Sequence, residues 1–150
     1  MIAVVQRVNE ASVTVEGEVV GKIGRGLAVL VAVHRTDSAE DVAWTAAKLL
    51  ALRLFPNGEK DFDAAVAEAG GSLLVVSNFT VAAKTQKGRR PSFDEAADAQ
   101  AGLPLFNHLV ALLAASGIPI ETGRFGAHMH VSLVNDGPVT VLVDSRAGRA

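Results

Sequence analysis

The order of hydrophobic and polar positions predicts strands through the first third of the chain. Ile2 to Val8 is mostly β-branched or apolar, and from Ala11 to Val15 the polar Ser12 and Thr14 alternate with apolar neighbours. Glu16-Gly17-Glu18 reads as a tight turn into Val19–Ile23, and Gly24-Arg25-Gly26 as the next break, a hairpin turn. Residues 27–33 form a continuous apolar run of strand length, which suggests a strand covered on both faces. A meander of four strands is the simplest arrangement of these pieces.

The period then changes. Val42, Ala46, Leu49 and Leu52 form one apolar stripe of a helix with Trp44 at its border. Asp37 or Ser38 caps it, with Glu40 in capping-box spacing from Asp37. After the Pro56-Asn57-Gly58 turn, residues 61–69 are acidic and alanine-rich, a loop or short helix. Gly70-Gly71 introduces a second buried-type strand over residues 72–79, and a polar, basic loop follows from Lys84 to Pro91. A second helix falls between Asp94 and Ser116, with Leu105, Leu109, Leu112 and Leu113 as its stripe and Gly117 as its end. Pro104 suits a first turn, so that helix is expected to restart there. Residues 118–122, 128–134 and 139–143 read as three closing strands, the last two joined by an Asn135-Asp136-Gly137-Pro138 loop. The expectation is one mixed α/β domain over residues 1–150, without repeats or linkers.

Composition narrows the chemistry. In 150 residues there is no cysteine, which excludes disulfides, thiolate metal sites and a cysteine nucleophile, and agrees with a cytoplasmic, reducing location. No leader pattern opens the chain, and no apolar run approaches the length of a membrane helix. A formal net charge of −2 speaks against a nucleic-acid partner until its distribution is considered. Residues 37–68 hold seven acids against three basic residues, whereas residues 77–93 hold Lys84, Lys87, Arg89 and Arg90 and no acid. A charge run is ordinarily a solvated face; this one directly follows a strand exit, which makes it a reasonable phosphate-contacting rim.

Candidate chemistry is sparse. His128 and His130 share a face of a predicted strand and form half of a metal site at most; Met129 and Val131 beside them fit an ordinary strand. His34 and His108 sit in no recognisable catalytic motif, and no nucleophile elbow or phosphate-binding glycine loop is present. Ser77-Asn78-Phe79-Thr80, at the exit of a buried strand, is placed to line a pocket, although Ser77 and Thr80 also suit a fraying strand end. Along a regular strand Asn78 and Thr80 would point one way, and Ser77 and Phe79 the other. Gly137-Pro138 lies where a cis peptide is tolerated and where almost no side chain would obstruct a ligand.

Five segments in order resemble the D-aminoacyl-tRNA deacylase family: Gln6-Arg7-Val8, Ser77-Asn78-Phe79-Thr80, Lys87-Gly88-Arg89-Arg90-Pro91-Ser92-Phe93, Thr122-Gly123-Arg124-Phe125-Gly126-Ala127 and Asn135-Asp136-Gly137-Pro138-Val139-Thr140. Asn78 stands where the family usually has glutamine, which keeps the amide and shortens it by one methylene. The resemblance implies a single domain of largely antiparallel, barrel-like β-sheet packed with two main helices. It implies a homodimer without metal or other cofactor that hydrolyses the ester of D-aminoacyl-tRNA, or of glycine mischarged on tRNA, at the 3′-terminal adenosine. Membrane and DNA are not expected partners. Ser77, Asn78, Phe79 and Thr80 inherit the catalytic role. Gly137 and Pro138 inherit a cis unit that reaches the partner's pocket and rejects L-residues. Phe125 and Met129 match residues near that pocket. Lys84, Lys87, Arg89 and Arg90 are the expected tRNA contacts. Thr80 stands at the position regarded as the family's nucleophile, yet an internal threonine needs a base and none is motif-linked to it. Attack by water, or assistance by the ribose 2′-hydroxyl, is therefore the expected chemistry. The rivals are a non-catalytic tRNA- or RNA-binding module and a metal hydrolase built on His128 and His130.

Overall fold

The computed structural model describes residues 1–149. Its organising element is β1 (Ile2–Val15), which uses both edges. One edge pairs antiparallel with β8 (His130–Asp144). The other edge is shared by β2 (Glu18–Ile23) along Ala11–Val15 and β3 (Gly26–Ala32) along Ile2–Val8. The expected four-strand meander is thus replaced by one long strand facing two shorter ones that run in the same direction. The pairs Ala11–Ile23 and Val8–Gly26 keep one register, so Gly24-Arg25 interrupts a strand and does not reverse it. Gly26 is required for another reason. A Cβ there would lie 1.9 Å from the Ser72 carbonyl oxygen of the neighbouring strand, so the glycine marks a close backbone approach.

That neighbour is β6 (Ser72–Ser77), parallel to β3 and to β7 (Ile120–Thr122). The sheet order β2-β1-β3-β6-β7, with β8 on the remaining edge of β1, curls until β2 comes against β6 and β7, a nearly closed barrel. β6 contributes to both cores. Leu73 and Val75 pack with the helices, whereas Leu74 and Val76 join Val8, Val13, Ile23 and Ala28 inside the barrel. A strand buried on both faces must read as a continuous apolar run, as residues 73–76 do.

Helix α1 (Ala39–Ala51) starts at Ser38, and its box partner is Asp41, whose carboxylate accepts from the Ser38 N–H at 2.9 Å and the hydroxyl at 3.1 Å. Asp37, expected as a cap, is instead held by the Met1 ammonium and accepts the His34 N–H. Val42, Ala46 and Leu49 are buried as expected. Residues 61–69, expected as a loop or short helix, begin in β5 (Lys60–Ala64), which pairs with β4 (Phe55–Asn57) in a two-stranded ribbon. Asp63 fixes that ribbon by accepting from the Asn57 amide at 3.1 Å.

Helix α2 (Ala99–Ala114) is capped by Asp98 and runs straight through Pro104 without restarting. Pro104 and Gln100 lie on the exposed side, so the Gln100 carbonyl deprived of its donor sits beside solvent. Phe106, Leu109 and Leu113 form the buried stripe. The two closing strands expected at 128–134 and 139–143 are one strand, β8, with an insertion. Asn135 lies opposite Val8 and Thr140 opposite Gln6, so six residues of β8 span the space of three on β1. The Asn135–Pro138 loop is therefore a bulge in a continuing strand, not a hairpin. Asn, Asp, Gly and Pro favour either outcome, and only the pairing to β1 decides.

The short helix α3 (Ser145–Gly148) closes the chain against its start. The buried Ser145 hydroxyl donates to Asp41 at 2.8 Å and accepts from the Met1 ammonium at 2.8 Å. Burial opposes the charge on Asp41, but the Ser38 N–H, the Ser145 and Ser38 hydroxyls and Arg149 outweigh it and hold the carboxyl well below the usual carboxylate range. Its stabilisation is therefore present above the unfolded-state value and is lost as pH falls towards the depressed one. Acid unfolding of Asp41→Asn should consequently be less steep below about pH 4 than that of the wild type. Denaturant unfolding should show Leu109→Ala costing about 2–5 kcal/mol and the exposed Val19→Ala no more than about 0.5 kcal/mol.

Candidate active site

β3, β6 and β7 are parallel neighbours, and their carboxyl ends open onto one cavity of about 740 Å³. Ligand sites form at such ends because the chain must leave the sheet there, exposing loop backbone beside a rigid floor. Ser77 at the end of β6 opposes Val31 of β3, and the Asn78 N–H donates to the Val31 carbonyl at 2.8 Å. The chain then turns into a 3-10 helix, Phe79–Ala82, with Asn78 as its N-cap. The strand alternation expected for Asn78 and Thr80 does not apply, because the strand ends at Ser77. Instead the Thr80 hydroxyl donates to the Asn78 side-chain oxygen at 2.5 Å.

All four residues of the Ser77–Thr80 segment line the cavity. The first N–H groups of a helix have no intrahelical acceptor. Among the turn, loop and cap bonds of the described residues, Val81 and Ala83 donate within the turn, while Phe79 and Thr80 do not donate. Phe125 and Met129, in the loop after β7, contribute a further part of the wall. Phe125 is held by Phe106 of α2, with ring centroids 5.7 Å apart, and the Met129 sulfur lies 3.4 Å from the Arg124 amide nitrogen. Leu30, Val33, Ala97 and Gly102 complete an apolar interior that no sequence motif marked.

His128 supplies the single titratable side chain of this wall among the described residues. Its Nε2 lies 3.2 Å from that of His130, so the expected shared face exists. No group of three or more histidines and carboxylates is arranged to hold a metal ion among the described residues.

Gly137 and Pro138 do not line the cavity of their own chain; they are exposed on the β8 insertion, joined by a cis peptide bond. The insertion is held from beneath. Arg7, nearly buried, donates from Nε to the Asp136 carbonyl at 2.9 Å and from a terminal nitrogen to the Leu54 carbonyl at 2.7 Å. Asn135 accepts the Val139 N–H at 2.7 Å and donates to Gln6 at 3.0 Å. Gly137 has φ of +150°, and a Cβ there would lie 2.6 Å from a Val139 methyl and 2.7 Å from the Val139 nitrogen. Only glycine fits. Arg7 was marked in the sequence only as part of the Gln6-Arg7-Val8 segment, without a role.

The basic loop is exposed and also outside the cavity lining. Its four cations differ. Lys84 is paired with Glu95, which also accepts from His34 at 3.0 Å. The Lys84 and His34 hydrogen bonds hold the Glu95 carboxyl at about 2, well below the usual carboxylate value. Lys87, Arg89 and Arg90 make no ion pair among the described residues.

The Asn135 clamp carries a direct test. In Asn135→Ala the Val139 amide loses its acceptor, and one net hydrogen bond of about 0.5–1.5 kcal/mol corresponds to hydrogen exchange roughly twofold to tenfold faster. Exchange measured by NMR at Val139 should accelerate in that range, while amides of β6 should be unchanged.

The chain has close relatives. The family model described as D-Tyr-tRNA(Tyr) deacylase matches residues 4–144. A protein of Chloroflexus aurantiacus named D-aminoacyl-tRNA deacylase is 54% identical over 97% of this chain and 91% of its own length. One of the same name from Methylococcus capsulatus is 53% identical over 95% of this chain and 94% of its own. A solved structure described as c-Myc DNA Unwinding Element Binding Protein superposes with a TM-score of 0.91 at 36% identity, covering 96% of this chain and 98% of that one. A second, described as a probable eukaryotic D-amino acid tRNA deacylase, shares the fold at a TM-score of 0.81 and 16% identity, over 95% and 97% of the two chains. With the match extending from β1 to the end of β8, the chain belongs to the D-Tyr-tRNA(Tyr) deacylase family.

Proposed function

We propose that this protein hydrolyses the ester of D-aminoacyl-tRNA, releasing the D-amino acid and the tRNA, and spares the L-ester. The observation that carries this reading is the pair of undirected N–H groups at Phe79 and Thr80, set on the wall of an apolar cavity. An aminoacyl ester is already activated, so its hydrolysis is limited by stabilising the charge that develops on the carbonyl oxygen and by orienting the attacking group. One such donor contributes about 3–4 kcal/mol elsewhere. Water adds to the carbonyl carbon and the oxygen becomes an oxyanion held by these N–H groups. The intermediate then collapses with cleavage of the bond to the ribose oxygen. The proton from the attacking water ends on that ribose oxygen, and the adjacent ribose hydroxyl of the substrate is positioned to relay it.

Thr80 supports attack by water. Its hydroxyl proton is directed at an amide oxygen, and an amide is not a base. In this reading Ser77 and Asn78 shape the turn, and Asn78 keeps an amide that a shorter side chain can bring to Thr80. The Gly137-Pro138 unit, rigidly held yet exposed on its own chain, enters the cavity of a second copy in a homodimer. There its backbone receives the substrate amino group and leaves no room for an L side chain. Glycine, which has no side chain, passes this filter. Phe125 and Met129 wall the cavity, and the basic loop meets the tRNA backbone. These steps use no metal and fit the cytoplasm, where aminoacyl-tRNA is found; no helix among the described residues is long and apolar enough to cross a membrane.

A second reading, a nucleic-acid-binding module without activity, draws on the three unpaired cations and on the description of the 36% identical structure as a DNA-element binding protein. Following ester loss from D- and L-aminoacyl-tRNA, with and without chelator, separates the readings. Selective loss of the D-ester that survives chelation is expected. Retained tRNA binding without ester loss would leave the binding module, and chelator sensitivity would point to metal chemistry. Thr80→Ala should keep turnover within roughly tenfold of the wild type, since it removes no backbone donor; abolished turnover with intact binding would make Thr80 the nucleophile. Gly137→Ala, which places a methyl against Val139, should lower activity or the D/L ratio by at least about tenfold.

A further inference from the structure

The geometry points to Lys84, Glu95 and His34 as a strut that positions the catalytic turn, and removes Lys84 from the set of tRNA phosphate contacts. This inference rests on the deacylase reading and deepens it. The 3-10 turn ends at Ala82, and Lys84 is the second residue beyond it. Lys84 is pinned three times. Its N–H donates to the Ser92 carbonyl at 2.8 Å, its carbonyl accepts the Ser92 N–H at 2.9 Å, and its ammonium is bonded to the Glu95 carboxylate. Residues 84–92 thus form a closed excursion whose base is fixed and whose tip carries Lys87, Arg89 and Arg90.

Glu95 ties that base to the sheet. Its second oxygen accepts from His34 Nε2 at 3.0 Å, and Arg146 lies 3.6 Å from the same oxygen. The imidazole direction is fixed by its other nitrogen. The Thr36 N–H donates to Nδ1 at 3.2 Å and the Thr36 hydroxyl lies 2.8 Å away, so in the neutral ring the proton is on Nε2 and points at Glu95. His34 is buried two residues beyond the end of β3 and next to Val33, which lines the cavity. The backbone repeats the connection, since the Arg35 N–H donates to the Glu95 carbonyl and the Ala97 N–H to the Val33 carbonyl, each at 2.9 Å. Between these anchors Phe93 stands edge-on to Phe79 of the turn, with centroids 5.2 Å apart.

A half-exposed lysine–carboxylate pair alone contributes little. Here a single carboxylate joins the turn, the basic loop and a buried residue of the floor, so its loss is felt as displacement of the turn. The same pairing cancels the charge of Lys84 locally. A phosphate approaching it meets the Glu95 carboxylate as well, which leaves three cations for the tRNA.

The salt dependence of KM and the value of kcat, measured with D-aminoacyl-tRNA, distinguish a phosphate contact from a strut. Each lost phosphate contact flattens the slope of log KM against log salt by roughly 0.7–0.9. Lys87→Met should flatten it in this way. Lys84→Met should leave the slope unchanged and lower kcat roughly threefold to tenfold, with Glu95→Gln producing a similar loss. The Lys84→Met/Glu95→Gln double variant should be no worse than either single variant, because both remove the same connection. A flattened slope in Lys84→Met, or losses that multiply in the double variant, would overturn the strut. If Lys87→Met, Arg89→Gln and Arg90→Gln all leave the slope unchanged, the loop does not meet tRNA and that part of the proposed function fails, while the coupling between Lys84 and Glu95 still decides the strut.

Discussion

The placement of β6 constrains the rest of the molecule. Both of its edges are hydrogen-bonded and both of its faces are buried, so it accepts only apolar side chains along residues 73–76 and cannot shift register without exposing them. Its parallel alignment with β3 and β7 brings three carboxyl ends to one side of the sheet. The helices cover one face of the strand and the barrel interior covers the other, so the remaining opening is at these ends. The candidate site is a consequence of that closure, and its walls are apolar because they continue the two cores.

A site made this way has little titratable chemistry of its own, and charge is concentrated at its margins. The cations of the basic loop lie outside the cavity, with Lys84 committed to Glu95 and the other three exposed. This division suits a substrate with a large polyanionic part and a small reacting end. Long-range attraction acts on the former, and backbone dipoles in an apolar pocket act on the latter. The net charge of −2 concealed this arrangement, since the acids over residues 37–68 are elsewhere in the fold.

Much of this was legible in the sequence, for reasons that can be named. Continuous apolar runs identified β3 and β6, and the α1 stripe of Val42, Ala46 and Leu49 followed from its period. Ser77–Thr80, picked out at the exit of a buried strand, and Phe125 and Met129, picked out by resemblance, meet in one cavity. What could not be read was pairing. Gly26 looked like a turn because its true cause, the Ser72 carbonyl, is 46 positions away. Residues 135–138 looked like a hairpin because turn-forming residues do not specify whether the strand reverses or bulges. Pro104 looked like a helix start because its position on the exposed face depends on how α2 docks. Each miss concerns a long-range contact that local propensity does not encode.

The Arg7 side chain links two places that are distant in the sequence and do not otherwise share a role. Its guanidinium donates to Asp136 on the β8 insertion and to Leu54 just before the β4–β5 ribbon. The ribbon, which contributes nothing to the cavity, is thereby one of the supports of the Gly137-Pro138 loop. Length changes in the connection between α1 and β4 would move the Leu54 carbonyl and, through one planar group, the loop above it. In this fold the tolerance of that peripheral connection to insertion is set by the precision required at a tip on the opposite strand.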